Sequence, residues 1–281
     1  MSACCNDYIY INCFDPQNRV ASPESLAVSL SDRHNGVGSD GVILMSPSEI
    51  ADGKMTMFNR DGSEGMMCGN GIRCVAKYLY DNGIAKGQPA GVGRSVLRIE
   101  TKSGVRECTV ITKNGLVSKV AVNMGRAELA PEKVPVSLPG GPVVGRELNI
   151  VGGRYAVTCC SMGNPHATVF VPSADKAPVE ELGPRLENDP LFPEKVNVGF
   201  VEVIDSHTLK ARIWERGSGE TMACGTGTCA AVVAATLNGY CPKGEDVRVI
   251  LNGGELMINY TDERVLMTGE AVKVYDGQVE V

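Results

Sequence analysis

Residues 58–83, FNRDGSEGMMCGNGIRCVAKYLYDNG, return as residues 214–239, WERGSGETMACGTGTCAAVVAATLNG, at a constant offset. Arg60, Glu64, Met66, Cys68, Gly69, Gly71, Asn82 and Gly83 recur as Arg216, Glu220, Met222, Cys224, Gly225, Gly227, Asn238 and Gly239. Upstream of each block an asparagine opens a strand-like run, Asn6 before YIYIN and Asn164 before HATVFV. Self-similarity over so long a stretch marks a duplicated unit, so the chain reads as two copies of one domain. A length of 281 residues gives each copy the ordinary size of a domain.

Short apolar runs bounded by Gly, Asn, Asp or Pro predict strands at 8–13, 41–45, 97–101, 105–111, 117–122 and 167–171. Helical spacing is confined to 22–31, 71–80, 179–188 and 226–237. Many strands with few helices imply an α+β fold rather than a doubly wound parallel sheet. Ile72, Val75, Ala76 and Leu79 place one apolar face on the first repeated helix, with Arg73 and Lys77 opposite and Asn82-Gly83 as the stop signal. Its counterpart, CAAVVAATL at 229–237, is small and apolar all round and predicts a helix enclosed by strands. The Pro- and Gly-dense segment 131–153 reads either as a linker or as a loop within a strand-rich domain.

Both Cys-Gly-x-Gly turns run directly into these helices, which puts Cys68 and Cys224 at helix N-terminal mouths. Unpaired backbone N–H groups and the positive end of the macrodipole favour an anion there, and glycine lets backbone approach a ligand. The thiol pKa is expected to fall from about 8.5 into the range of about 3.5 to 7.5. The N–H groups of Gly69-Asn70 and Gly225-Thr226 are placed to hold a carboxylate and to stabilise the charge left when a proton leaves the adjacent carbon. Two such mouths facing one another suit removal of a proton from one face of a chiral carbon and its return to the other, with no cofactor.

Composition excludes other classes. The hydrophobic fraction is 43% and the charged fraction 21%, which rules out wholesale disorder. Lys plus Arg number 27 against 33 Asp plus Glu, a net charge of −6 with no basic cluster, so neither nucleic acid nor a membrane is expected as a partner. Residues 1–10 carry Asp7 and no basic run, and the longest apolar stretches fall far short of the ~20 residues that cross a bilayer, so a cytoplasmic protein is expected. Eleven cysteines in such a chain are expected to stay reduced, with Cys4, Cys5, Cys13, Cys108, Cys159, Cys160 and Cys241 as small buried hydrophobes and Cys74 and Cys229 packing inside the helices. The cysteines do not form two metal-type pairs and His34, His166 and His207 are scattered, so no metal is expected. A thioredoxin-like C-x-x-C is missing, and Gly69-Asn70-Gly71 lacks the rest of a phosphate loop.

The sequence closely resembles the diaminopimelate epimerases. The matching stretches are NDYIYI at 6–11, RHNGVGSDGVIL at 33–44, FNRDGSEGMMCGNGIRC at 58–74, MGNPHATVF at 162–170, VNVGF at 196–200 and ERGSGETMACGTGTC at 215–229. The resemblance implies two pseudo-symmetric domains, each a mixed, curled, barrel-like sheet around a central helix, with the active site in the interdomain cleft. Its boundaries would be 1–124 with a returning C-terminal strand at 270–281, and 125–269. It also implies interconversion of LL-2,6-diaminopimelate and meso-diaminopimelate in lysine and peptidoglycan biosynthesis, without cofactor or metal, by a homodimer acting on a small molecule.

By position, the resemblance makes Cys68 and Cys224 the acid–base pair, and Gly69, Asn70, Gly225 and Thr226 the holders of the reacting carboxylate. Asn6, Asn59, Asn164, Asn197, Glu215 and Arg216 match its substrate-binding positions, and His166 lies near the site as a residue that tunes a cysteine. A substrate with two amino-acid ends fits that set: Arg216 offers a fork to a carboxylate, Glu215 accepts from an ammonium, and the asparagines do both. Taken singly, an asparagine beside Gly or Pro is an ordinary turn former. Two further readings stay open on the residues: another two-cysteine racemase of the proline or hydroxyproline type, and a non-catalytic cysteine-rich module that holds an anion at its helix mouths.

Overall fold

A computed structural model describes residues 1–150 and 152–280. The chain divides into two units, Met1–Asn123 with Thr268–Val281, and Met124–Met267. In the first, the strand Ile9–Asn12 lies parallel to Gly41–Ser46. Parallel neighbours need a crossover, and the helix α1, Pro23–Ser31, lies within it. Gly41–Ser46 pairs antiparallel with Gly53–Asn59, which turns back into Glu64–Gly65. Helix α2, Gly69–Asp81, follows. The chain returns through Arg94–Thr101, parallel to Gly53–Asn59, and continues antiparallel through Gly104–Lys113 and Leu116–Asn123.

The second unit repeats this order. Pro165–Phe170 runs parallel to Asn197–Asp205, with α3, Val179–Glu187, in the crossover. Asn197–Asp205 pairs antiparallel with Thr208–Glu215, which turns back into Gly219–Thr221. Helix α4, Gly225–Leu237, precedes Asp246–Leu251, which is parallel to Thr208–Glu215 and antiparallel to Gly254–Tyr260. Register repeats as well as order: Met57 faces Gly65 and Phe58 faces Glu64, while Ile213 faces Thr221 and Trp214 faces Glu220. An added pair, Arg146–Ile150 and Gly153–Ser161, extends the second sheet from Pro165–Phe170. The described part of segment 131–153 lies within this unit, with Val134, Val136 and Val143 buried in its core and Arg146–Ile150 a strand of its sheet, so it is not a linker between the units.

The α+β architecture of mixed sheets curled around a helix is therefore as expected, and the four predicted helices form within a residue or two of their predicted limits. Each unit wraps one helix. In the first, α2 packs on Gly53–Asn59, Arg94–Thr101, Gly104–Lys113, Leu116–Asn123 and Ser2–Ala3. In the second, α4 packs on strands from Gly153–Ser161 through Gly254–Tyr260, and its nine consecutive residues 227–235 are all buried. Small side chains at every buried position of α4 follow from that enclosure.

Enclosure also overrides the amphipathic reading of α2. Arg73, expected on the outer face, is fully buried. Its guanidinium donates to Gly69 O at 3.2 Å, to Asn70 Oδ1 at 3.0 Å and to Glu270 O at 3.2 Å, replacing the water it has lost. Lys77, half-buried, pairs with Asp81 at 2.8 Å. Three of the seven cysteines expected to be buried are not: Cys4 and Cys13 are partly accessible and Cys5 is exposed. Cys4 and Cys5 form the turn between Ser2–Ala3 and Asn6–Asp7, with φ of 53° and 57°, and a turn tip has little core to enter. The C-terminal strand expected at 270–281 is also absent over 270–280. There the chain is irregular and joins Ser2 through a single bridge at Val272, and its side chains at 273–280 are exposed with no neighbouring strand to pair them. The last strand is Val265–Gly269. No helix among the described residues is long and apolar enough to cross a membrane.

Because α4 is surrounded, Ala231→Leu, which adds volume at a site with no exposure, is expected to destabilise the protein by about 1–3 kcal/mol. Urea unfolding measures it, and an unchanged midpoint would contradict the enclosure.

Candidate active site

Cys68 and Cys224 each sit at the N-cap of the enclosed helix of their unit, in the same extended conformation, φ −122°, ψ 119° and φ −111°, ψ 113°. In both, the sulfur accepts the backbone N–H three residues on, from Gly71 and from Gly227, at 3.4 Å. An N-cap normally uses a hydroxyl or carboxylate oxygen, and here a thiol fills that place. Glycine at the third position leaves room for it. A Cβ on Gly227 would lie 3.3 Å from the Cys224 sulfur and 3.0 Å from Ile213, and one on Gly71 would lie 2.7 Å from Ile43.

In the first unit the structure brings Asn6, Cys68 and Asn70 to the mouth of α2. The Cys68 thiol donates to Asn6 Oδ1 at 3.4 Å, and Asn6 Nδ2 donates to Asp40 Oδ2 at 2.9 Å. Because a carboxylate only accepts, Asp40 fixes the amide of Asn6 with its oxygen towards the sulfur. Arg33 in turn holds Asp40 at 3.0 Å and Asp7 at 2.8 Å. Buried Tyr8 stands next to this group, and burial, then Cys68, then Asp40 push its hydroxyl pKa up, so it remains a neutral phenol. Asn59 ends the strand Gly53–Asn59 at the turn to Glu64, where its amide donates to Ser63 Oγ at 3.0 Å.

In the second unit Glu215, Thr226 and Cys224 come together. Thr226 Oγ1 lies 3.5 Å from the Cys224 sulfur, and Thr221 Oγ1 donates to Glu215 Oε1 at 2.5 Å. Cys224 is buried, and its thiol behaves opposite to expectation: burial, then the charge of Glu215, push its pKa well above the ordinary value. Thr226 and the Gly227 N–H act in the lowering direction, but desolvation of a thiolate outweighs them. Asn197 Nδ2 donates to Pro165 O at 2.8 Å and its Oδ1 accepts the Arg216 N–H at 3.0 Å, so Asn197 braces the backbone that presents Arg216. The Arg216 side chain spends one N–H on Glu194 O at 2.7 Å. His166 is buried beside Asn164, with Nε2 3.0 Å from Asn164 Oδ1. Burial, then the Arg216 charge, depress its pKa to about 3, so near neutral pH it is an uncharged ring that donates to Asn164. Among the described residues no group of three or more His, Cys, Asp or Glu gathers as a metal site.

The family model for diaminopimelate epimerase matches residues 1–130 and 158–274 of this sequence. The chain belongs to the diaminopimelate epimerase family. It is accordingly an isomerase. It is 47% identical over 278 residues to the diaminopimelate epimerase of Acetivibrio thermocellus, covering 98% of this chain and 95% of that protein. Identity to the diaminopimelate epimerase of Methanococcus maripaludis is 43% over 278 residues, covering 98% and 96%. Solved structures show the same fold at low identity. A PhzF-family phenazine biosynthesis protein of Bacillus anthracis matches with TM-score 0.69 at 16% identity, covering 100% of this chain and 95% of that one. A probable proline racemase of Agrobacterium radiobacter, with bound carbonate, matches with TM-score 0.65 at 19% identity, covering 95% and 82%.

For this member of the diaminopimelate epimerase family, sequence reasoning missed Asp40, Tyr8 and Thr221, which touch or orient the expected residues. Asp40 lies inside the family stretch RHNGVGSDGVIL, and that was its only signal. A histidine held neutral contributes stability that is present above its ordinary pKa of 6.5 and lost as pH falls towards about 3, because the unfolded chain then binds the extra proton. The urea midpoint of wild-type protein is therefore expected to fall more steeply than that of His166→Gln between pH 7 and pH 4. Parallel declines would contradict a buried neutral ring.

Proposed function

We propose that Cys68 and Cys224 are the acid and base by which this enzyme interconverts LL-2,6-diaminopimelate and meso-diaminopimelate, one removing the α-proton and the other supplying one to the opposite face. The observation that carries the proposal is the matched pair of N-cap thiols, each on an anion-favouring helix mouth. The α-carboxylate of the substrate is held by the N–H groups of Gly69-Asn70 and Gly225-Thr226. As the α-proton leaves, negative charge spreads into that carboxylate, where oriented N–H donors and helix dipoles stabilise it, and this supplies the electron sink. Proton transfer is to and from sulfur, and the roles of the two cysteines exchange with reaction direction.

The raised pKa of Cys224 fits the acid role in one direction, because the sulfur keeps its proton in the free protein. Binding changes that balance: burial still raises the Cys224 pKa, but a substrate ammonium on Glu215 offsets the carboxylate charge that raises it further, and Cys224 becomes easier to ionise. Arg216, with donors remaining beyond Glu194, takes the carboxylate of the distal end. Asn6, Asn59, Asn164 and Asn197 complete recognition of the two amino-acid ends, Asn164 with its oxygen already occupied by His166 and thus presenting its NH2. His166 in this reading tunes the site through Asn164 rather than by carrying a proton. The working form is a cytoplasmic homodimer, for which the exposed apolar run Val272, Val274, Tyr275 and Val279 offers a contact surface. Sedimentation at twice the chain mass is the expected result.

Cys68→Ser and Cys224→Ser are each expected to reduce epimerisation of LL-diaminopimelate by at least about 100-fold, with the circular dichroism of the wild type retained. Full activity in either variant would end the two-thiol mechanism.

A further inference from the structure

The last residue of α3, Glu187, is buried although it carries a carboxylate. Both oxygens are engaged. The Trp214 indole N–H donates to Oε2 at 2.7 Å, the Gly217 N–H donates to Oε1 at 3.0 Å, and Lys195 Nζ lies 3.8 Å from Oε1. Trp214 and Gly217 flank Glu215 and Arg216 in the chain, so one carboxylate grips the turn on both sides of two proposed substrate-binding residues. One helical turn earlier Gly183 lies against the Trp214 ring so closely that a Cβ there would stand 2.6 Å from it. The turn is otherwise closed by its own backbone, Ser218 N–H to Glu215 O at 3.0 Å, and by Asn197 on the Arg216 N–H.

The first unit closes its turn differently. At the offset of the sequence repeat, Ser31 stands for Glu187 and Phe58 for Trp214. Ser31 bonds Ser39 at 3.1 Å, and the turn after Asn59 is held by Asp61, whose Oδ1 accepts from Ser63 N–H at 2.9 Å and from Ser63 Oγ at 2.6 Å. Phenylalanine has no donor to offer, so the strap from the crossover helix exists only in the unit that carries Glu215 and Arg216.

We infer that Glu187 is a positioning residue for substrate recognition, fixing the 215–218 turn and with it the place where Arg216 meets the carboxylate of the substrate's distal end. This inference rests on the function proposed above. The chemistry of the site asks for a carboxylate: two N–H donors converge on it, and glutamine offers one acceptor while turning its own NH2 against the second donor. An N–H left unsatisfied in a buried place is costly, and the turn relaxes away from it.

Glu187→Gln in the full-length enzyme is expected to raise KM for LL-diaminopimelate about tenfold with kcat within about twofold, since ground-state and transition-state binding by Arg216 weaken together. Trp214 is the only tryptophan, so its indole N–H gives a single resonance in a nitrogen–proton correlation spectrum, and that resonance is expected to move upfield when the carboxylate is replaced. Trp214→Phe, which removes one of the two grips and reproduces Phe58 of the first unit, is expected to raise KM by about two- to threefold. It serves as the test if Glu187→Gln does not fold. An active wild type whose KM is unchanged in Glu187→Gln, or in Trp214→Phe where only that variant folds, overturns the inference alone. A fall in kcat at unchanged KM overturns it too. Wild-type protein unable to epimerise diaminopimelate overturns the functional reading and this inference with it.

Discussion

A sulfur atom accepting a backbone N–H at the first turn of a buried helix is the constraint on which the rest of the molecule depends. To place it there, the chain needs a strand end that delivers the cysteine in extended conformation and a glycine three residues later that leaves the sulfur room. It also needs a sheet that curls far enough to enclose the helix. The last requirement sets the composition of α4, where nothing larger than valine is buried between 227 and 235. It also explains how a guanidinium comes to be buried in α2: Arg73 ties Gly69 and Asn70, the first residues of that helix, to the chain at Glu270.

Two opposed electrostatic effects meet at the mouth of α4. Backbone N–H groups and the helix dipole favour a thiolate at Cys224, whereas burial and then the carboxylate of Glu215 favour the thiol. In the free protein the second effect wins at Cys224. In the proposed reaction, a cationic substrate group arriving at Glu215 would offset that carboxylate's share of the effect and make the sulfur easier to ionise. His166 illustrates the same competition: desolvation keeps the ring neutral, and its role becomes that of a fixed donor to Asn164.

Much of this was legible in the sequence because it is local. The repeat at 58–83 and 214–239 exposed the duplicated unit, and the turn glycines with the apolar spacing after them located both helices and both cysteines. What escaped depends on neighbours distant in the chain. Helical spacing placed Arg73 outward, correctly for a surface helix and wrongly for one surrounded by strands. Helix-mouth reasoning put the Cys224 pKa too low because the sequence does not show how deeply the fold buries that sulfur. The Asp40–Asn6 and Glu187–Trp214 hydrogen bonds join crossover segments to strand ends, and no periodicity reports such contacts. Cys4 and Cys5 looked like core residues by type but occupy a turn tip in the left-handed region.

The central claim, that two sulfurs serve opposite faces of one carbon, is tested most directly by the fate of the solvent proton. Wild-type enzyme incubated in deuterated water with LL-diaminopimelate should yield meso product labelled at the inverted carbon from the first turnovers, while the remaining LL substrate stays unlabelled. The reverse reaction should give the same pattern. Early label in recovered substrate equal to that in product, or unlabelled product, would mean that a single group handles both faces and would contradict the account.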